Sequence, residues 1–178
     1  MSRLRNLIRK GMILLANNEQ YVQILRRGGT IIGKNCEISK DIILGTEPYL
    51  ITMGDNVRVT SGVKFITHDG GLWVPRRLGY IDEKADRFGR IIIGNNVNIG
   101  WNAIIMPDVT IGNNVIIGAG ALITKNIPDN SVAIGVPAKV YETIEEYAQK
   151  NRDRVLMTKD LSRAEKRKFL MNHFRTNG

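Results

Sequence analysis

A chain of 178 residues is about one domain by length, enough to bury a substantial core and too short for a second large catalytic domain. Aromatic residues are only 6% while glycine reaches 18 residues and the apolar 43% is mostly Ile, Val and Leu, which suits a regular β architecture rather than a large mixed core. The formal charge of +9 sits at the ends: residues 1–34 carry seven Lys/Arg against one acid and residues 150–178 nine against three, so each end is +6 and the body between them is −3.

Basic ends of this kind suit an anionic partner, but no interleaved aromatic motif accompanies them, which favours solvated helix faces over nucleic acid. The single cysteine, Cys36, excludes an internal disulfide, and no stretch supplies the ~20 apolar residues of a membrane span. The apolar run Met12 to Ala16 is too short for a signal peptide. A reducing, cytoplasmic location is the expectation.

In chain order, residues 2–27 alternate apolar and basic positions at helical spacing and stop at Gly28-Gly29, so 1–29 is expected as a basic helical segment. Its Ser2 to Lys10 stretch leaves peripheral membrane contact open. A six-residue rhythm begins at Ile32, with Cys36 four positions later, and resumes at Met53 through Val59 and Phe65. Between Leu44 and Met53 three extra residues fall around Glu47, Pro48 and Tyr49. The 22 residues from Gly71 to Ile92 carry no such phase and hold Trp73, Arg76, Arg77 and Tyr80. From Ile93 the phase does not slip across 36 residues: aliphatics stand at Ile93, Ile99, Ile105, Ile111, Ile117 and Ile123, each followed four positions on by Val97, Ala103, Val109, Val115, Ala121 or Ile127. Thr143 with Glu146 and Ser162 with Glu165 read as capping boxes of helices in a C-terminal tail, 141–178.

A period of six is neither helical nor the alternation of a flat sheet. It fits a parallel β-helix over residues 30–140, in which three short strands make one triangular coil and 71–92 protrudes as an extended loop. Sixth-position aliphatics fill the axis, glycines are expected at tight corners, and Cys36 reads as a small apolar core residue rather than a reactive thiol. The terminal helices can cover the end coils.

Only two histidines are present, too few for a zinc site of about three imidazoles, and no phosphate-binding loop or nucleophile elbow occurs, so no metal is expected. His173 lies in the basic tail. His68 stands at the root of the long loop, and imidazole is the side chain best suited to taking a proton near neutral pH. It is the sixteenth residue of its coil, as are Glu47, Asp108 and Asn126 of neighbouring coils. Stacking would bring these to one column, so Glu47 and Asp108 are candidates to orient the imidazole or bind an acceptor hydroxyl, with Asp69 a third and Tyr49 beside Glu47. For Asp108 and Asp69, turn or cap chemistry competes.

The hexads, F-I-T-H-D-G-G at 65–71, I-G-A-G-A-L-I-T-K-N-I-P at 117–128 and G-V-P-A-K at 135–139 resemble the hexapeptide-repeat, left-handed β-helix acyltransferases. With G-T-E-P-Y-L at 45–50, the resemblance is nearest to acetyl-CoA-dependent sugar O-acetyltransferases of capsular and lipopolysaccharide synthesis. It implies a homotrimer with active sites between subunits, His68 as catalytic base, and acetyl-CoA as donor. It further implies cofactor contacts at Ala119 (pantetheine arm), Thr124 and Lys125 (adenine end) and Lys139 (3′-phosphate). Where relatives often carry Trp just before the second I-G, this chain has Asn98, and Trp101 falls three residues later, at a site that in many relatives holds a small residue; the resemblance makes Trp101 a cofactor contact at the pantetheine wall and thioester, and its backbone N–H is a candidate oxyanion donor. The expected activity is O-acetylation of a sugar in surface polysaccharide synthesis, the alternatives being N-acetylation of an amine and a non-catalytic scaffold.

Overall fold

The computed structural model describes residue 11 and residues 13–176 and consists mostly of parallel strands with helices. The basic segment 2–10, read above as the start of a helix and a membrane contact, lies outside the described residues. Two compact units divide between Tyr147 and Ala148.

The first unit is built from three sheets visited in turn. One holds β1 (Ile31–Ile32), β3 (Ile51–Met53), β6 (Ile91–Ile93) and β9 (Thr110–Ile111). The second holds β2 (Glu37–Ile38), β4 (Arg58–Val59), β7 (Val97–Ile99), β10 (Val115–Ile117), β12 (Ser131–Gly135) and β13 (Ala138–Thr143), and the third holds β5 (Lys64–Phe65), β8 (Ile104–Ile105) and β11 (Leu122–Ile123). All pairs are parallel except the terminal β12–β13 hairpin.

Register carries the repeat directly. Val97 pairs with Val115 and Ile105 with Ile123, one coil of 18 residues apart. In the first coil the spacing is 21, Ile32 to Met53, the extra residues forming the 3-10 turn Pro48–Leu50. Across the long loop it is 40, Met53 to Ile93. The sixth-position aliphatics from Ile93 to Ile123 are at most 1% exposed, as are Val57, Val63, Phe65 and Ala103. Burial on this scale contributes about 1.5–3 kcal/mol for each large aliphatic side chain.

Two expectations about the repeat are corrected. The phase slips by two residues after Ile123: Ile127 pairs with Ile111, and Asn113 donates to Asp129 across 16 positions, because the corner after β11 is shorter than its predecessors. Tight corners fall chiefly to asparagine instead of glycine. Asn96, Asn114 and Asn130 have φ of 55°, 54° and 58° and are joined by Nδ2–Oδ1 hydrogen bonds of 2.9 and 2.8 Å, an amide ladder that a glycine could not make. Glycine serves close approach: a Cβ on Gly94 would lie 2.6 Å from the carbonyl oxygen of Gly112 in the next coil.

The continuous helix expected over 2–27 is interrupted at Ala16–Asn17, because Asn17 and Gln20 form a capping box that starts a new helix, Asn18–Arg27. Tyr21, Val22 and Leu25 of this helix join the core. The Asn18 side chain donates to Cys36 O at 2.7 Å and accepts from Ile38 N at 2.9 Å, occupying the free edge of β2 as a further coil would. Cys36 is buried.

Both C-terminal capping boxes are present, Thr143–Glu146 before the helix Ile144–Asn151 and Ser162–Glu165 before the helix Arg163–Thr176. No helix among the described residues is long and apolar enough to cross a membrane.

Candidate active site

β5 delivers His68 to a corner of the coil. Phe65 is fully buried, Ile66 N donates to Ile105 O at 2.8 Å and Thr67 is buried, so three consecutive residues are anchored before the imidazole emerges. The long loop then leaves through a 3-10 turn, Gly70–Leu72, and a short helix, Trp73–Arg77. It returns alongside its own root. Asp69 N donates to Arg87 O and Gly89 N to Thr67 O, both at 2.9 Å, so His68 and Phe88 form an antiparallel bridge with ring centroids 6.2 Å apart. Gly89 is required at this crossing, since a Cβ would lie 2.5 Å from Asp108 N.

The three-residue insertion in the first coil places Glu47 beside His68. Glu47 Oε2 lies 3.1 Å from Nδ1 of His68 and accepts from Thr67 Oγ1 at 2.7 Å, while the Thr46 hydroxyl donates to Oε1. The hydroxyls of Thr46 and Thr67, and to a lesser extent His68, hold the Glu47 carboxyl down to about 2. An ionised carboxylate only accepts hydrogen bonds, so the proton of the neutral imidazole belongs on Nδ1 and the free lone pair on Nε2. The Glu47 side chain is only 13% exposed against 47% for His68, which leaves the imidazole as the accessible member of the pair.

The other acids of the expected column are engaged elsewhere. Asp108, in the left-handed region at φ 64°, accepts from Arg87 Nη2 at 3.1 Å, and Asp69 caps Gly71 N and lies 3.6 Å from Arg87 Nη1. Both carboxylates thus pair with the Arg87 guanidinium of the returning loop and not with the imidazole. Asn126 accepts from Thr110 N at 2.8 Å, two places from Asp108, as the phase slip requires. Tyr49 is exposed on its turn, its backbone against Gly29.

Of the residues proposed to hold a cofactor, Trp101 and Ala119 follow β7 and β10 at successive levels of one corner, where Gly120 N donates to Trp101 O at 2.6 Å. Thr124 and Lys125 are exposed at the next corner, after β11, and Lys139 is exposed on β13 opposite Ile134. Among the described residues no group of three His, Cys, Asp or Glu is placed to hold a metal ion.

Sequence reasoning did not single out Thr46, Thr67, Arg87 or Phe88. Thr46 and Thr67 had a local signal, each adjacent to a candidate site residue. Arg87 and Phe88 had none, since only the return path of the loop brings them to its root.

Residues 90–125 match the family described as bacterial transferase hexapeptide (six repeats). The chain is 50% identical over 155 residues to Protein CapG of Staphylococcus aureus, covering 86% of this chain and 88% of that protein. It is 37% identical over 114 residues to galactoside O-acetyltransferase of Escherichia coli K12, covering 64% of this chain and 53% of that enzyme, about half its length. Among solved structures, a galactoside acetyltransferase in complex with coenzyme A superposes with a TM-score of 0.60 at 28% identity, over 89% of this chain and 86% of that one. The hexapeptide-repeat acetyltransferase VCA0836 of Vibrio cholerae, 23% identical, shares the fold at a TM-score of 0.57 over 74% of this chain and 84% of that one.

Proposed function

The chain belongs to the hexapeptide-repeat transferase family and is an acyltransferase, and we propose that it transfers an acetyl group directly from acetyl-CoA to a sugar hydroxyl, with His68 as general base, in the synthesis of a surface polysaccharide. The observation that carries this reading is the Glu47–His68 pair: a carboxylate ionised at every working pH, 3.1 Å from Nδ1, on an imidazole left accessible.

In this mechanism Nε2 of His68 takes the proton of the acceptor hydroxyl as its oxygen bonds to the thioester carbonyl carbon. Glu47 stabilises the imidazolium that forms. The backbone N–H of Trp101 is the proposed oxyanion donor. When the C–S bond breaks, the imidazolium returns its proton to the departing sulfur, so the products are an acetyl ester and free thiol and the base is regenerated. Base assistance of this kind supplies roughly 10²–10⁴-fold, and holding both substrates in one groove supplies much of the remainder. Ala119, Thr124, Lys125 and Lys139 are the residues proposed along the donor, Lys139 being a point-charge partner for a phosphate. The same reading makes the coil left-handed and the enzyme a trimer whose active sites lie between subunits. The coenzyme A in the similar galactoside acetyltransferase supports the donor, and the name of the galactoside O-acetyltransferase supports a sugar acceptor.

His68→Ala is expected to cut acetyl transfer by at least about 10²-fold while acetyl-CoA binding, read by calorimetry, stays as in the wild type. Turnover unchanged by the substitution would overturn the assignment.

A further inference from the structure

A second polar surface lies at a different corner from His68. Ser39, Thr60 with Ser61, and Trp101 follow β2, β4 and β7, adjacent strands of the six-stranded sheet, and with Glu37 and Arg58 they line a groove of about 540 Å³.

The hydroxyls of this groove share one polarity. Ser39 Oγ donates to Asp41 Oδ1 at 2.7 Å, Ser61 Oγ donates to Asp41 Oδ2, and Thr60 Oγ1 donates to Ile99 O at 2.7 Å. A hydroxyl has a single proton, and an ionised carboxylate or a carbonyl can only accept. All three protons are therefore committed to the protein, and each oxygen turns only lone pairs to the groove. Arg58 is paired with Glu37 at 3.4 Å, and the Asp41 carboxylate stands behind the two serines. Such a surface favours a ligand that donates many O–H bonds and carries no negative charge. Trp101, 63% exposed, adds an aromatic face whose negative quadrupole attracts polarised C–H groups. Ring C–H bonds on one side and several hydroxyl donors on the other describe a saccharide unit.

We propose that this groove binds a neutral saccharide, ring stacked on Trp101 and hydroxyls donated to Ser39, Thr60 and Ser61, and that it is the acceptor subsite. The second half rests on the acetyltransferase reading; the first does not. His68 follows a strand of the third sheet, so the base serving a sugar held here comes from a neighbouring copy in the proposed trimer.

Saturation-transfer NMR on the full chain tests this with methyl β-galactoside, methyl α-glucoside and N-acetylglucosamine as probes and galactose 6-phosphate as the charged counterpart. Ring C–H signals of at least one neutral sugar are expected to be saturated, with a dissociation constant on the order of 1 mM, and the phosphate to bind about tenfold more weakly. Trp101→Ala, at an exposed position, is expected to weaken the neutral sugar about tenfold. Asp41→Asn offers one serine an N–H in place of a carboxylate oxygen, frees that serine's proton toward the groove, and is expected to narrow the discrimination against the phosphate. No transfer to any neutral sugar, equal binding of the phosphate, or indifference to Trp101 would overturn the proposal. Sugar binding that persists while the chain moves no acetyl group from acetyl-CoA keeps the groove and removes the transfer reading; sugar acetylation that ignores Trp101 does the reverse.

Discussion

Replacing Glu47 by Gln keeps the shape of the side chain and removes its charge, which isolates what the carboxylate does for His68. In the wild type a single oxygen, Oε2, accepts from both Thr67 at 2.7 Å and His68 at 3.1 Å. If the glutamine amide nitrogen takes that place, Nδ1 must accept, the imidazole proton moves to Nε2, and the base is lost. If the amide oxygen takes it, the Nδ1 hydrogen bond survives but the imidazolium formed during transfer faces a neutral group, and hydrogen bonds to a charge are about twice as strong as neutral ones. The first geometry predicts a fall in kcat within the roughly 10²–10⁴-fold supplied by base assistance and the second a fall of about 5–10-fold, with the KM for acetyl-CoA unchanged in both. Glu47→Asp retains the charge and is expected to recover part of the loss. Because Thr46, Thr67 and His68 hold the carboxyl to about 2, Glu47 adds no titration step of its own between pH 5 and 9 in steady-state assays of thiol release. Stability gives an independent readout. The unfolded chain binds a proton at Glu47 below about its ordinary 4.5 while the native site stays ionised, so the contribution is full above that value and is lost as pH falls through about 2. The difference in urea midpoint between wild type and Glu47→Gln should therefore be constant above pH 5 and shrink between pH 4.5 and 2. A folded variant with kcat within threefold of the wild type would refute the role given to this carboxylate.

Phe65→Ala removes the largest fully buried side chain, whose strand partner is Ile105. A loss of about 3–5 kcal/mol is expected, and at about 2–4 °C per kcal/mol the Tm should fall by some 6–20 °C in a thermal scan; a drop below 3 °C would contradict the packing described. Arg87→Gln breaks two exposed ion pairs, to Asp69 and Asp108, so stability should change by less than about 1 kcal/mol. The same substitution unties the returning loop beside His68, and limited proteolysis within 71–92 should speed up while kcat falls several-fold; unchanged cleavage would show that backbone hydrogen bonds alone hold the crossing.

The repeat was legible because a coil of three short strands forces an inward apolar residue at fixed intervals, and no other element generates a period of six. Counting residues also located both interruptions, since insertions in a coil appear as integer offsets in register: 21 and 40 in place of 18. The loss of two residues after Ile123 escaped the same count because Ile127 remains apolar and buried in either register, so the pattern of side chains stayed intact while the backbone moved on. Left-handed corners were assigned to glycine on conformational freedom alone, whereas Asn tolerates the same φ and adds a ladder of amide hydrogen bonds that only stacking creates.

The site divides along the same line. Glu47 and His68 were found together because both are read from coil position, and coil position is a coordinate that the sequence carries. Asp108 shares that coordinate and is still diverted, because Arg87 arrives from a loop with no phase and competes for its carboxylate. The groove under Trp101 was invisible for a further reason. Its selectivity lies in where three hydroxyl protons point, and those directions are set by Asp41 on one level and the Ile99 carbonyl on another. Residue identity names a hydroxyl as donor and acceptor alike, and only its neighbours across the coil decide which of the two a ligand meets.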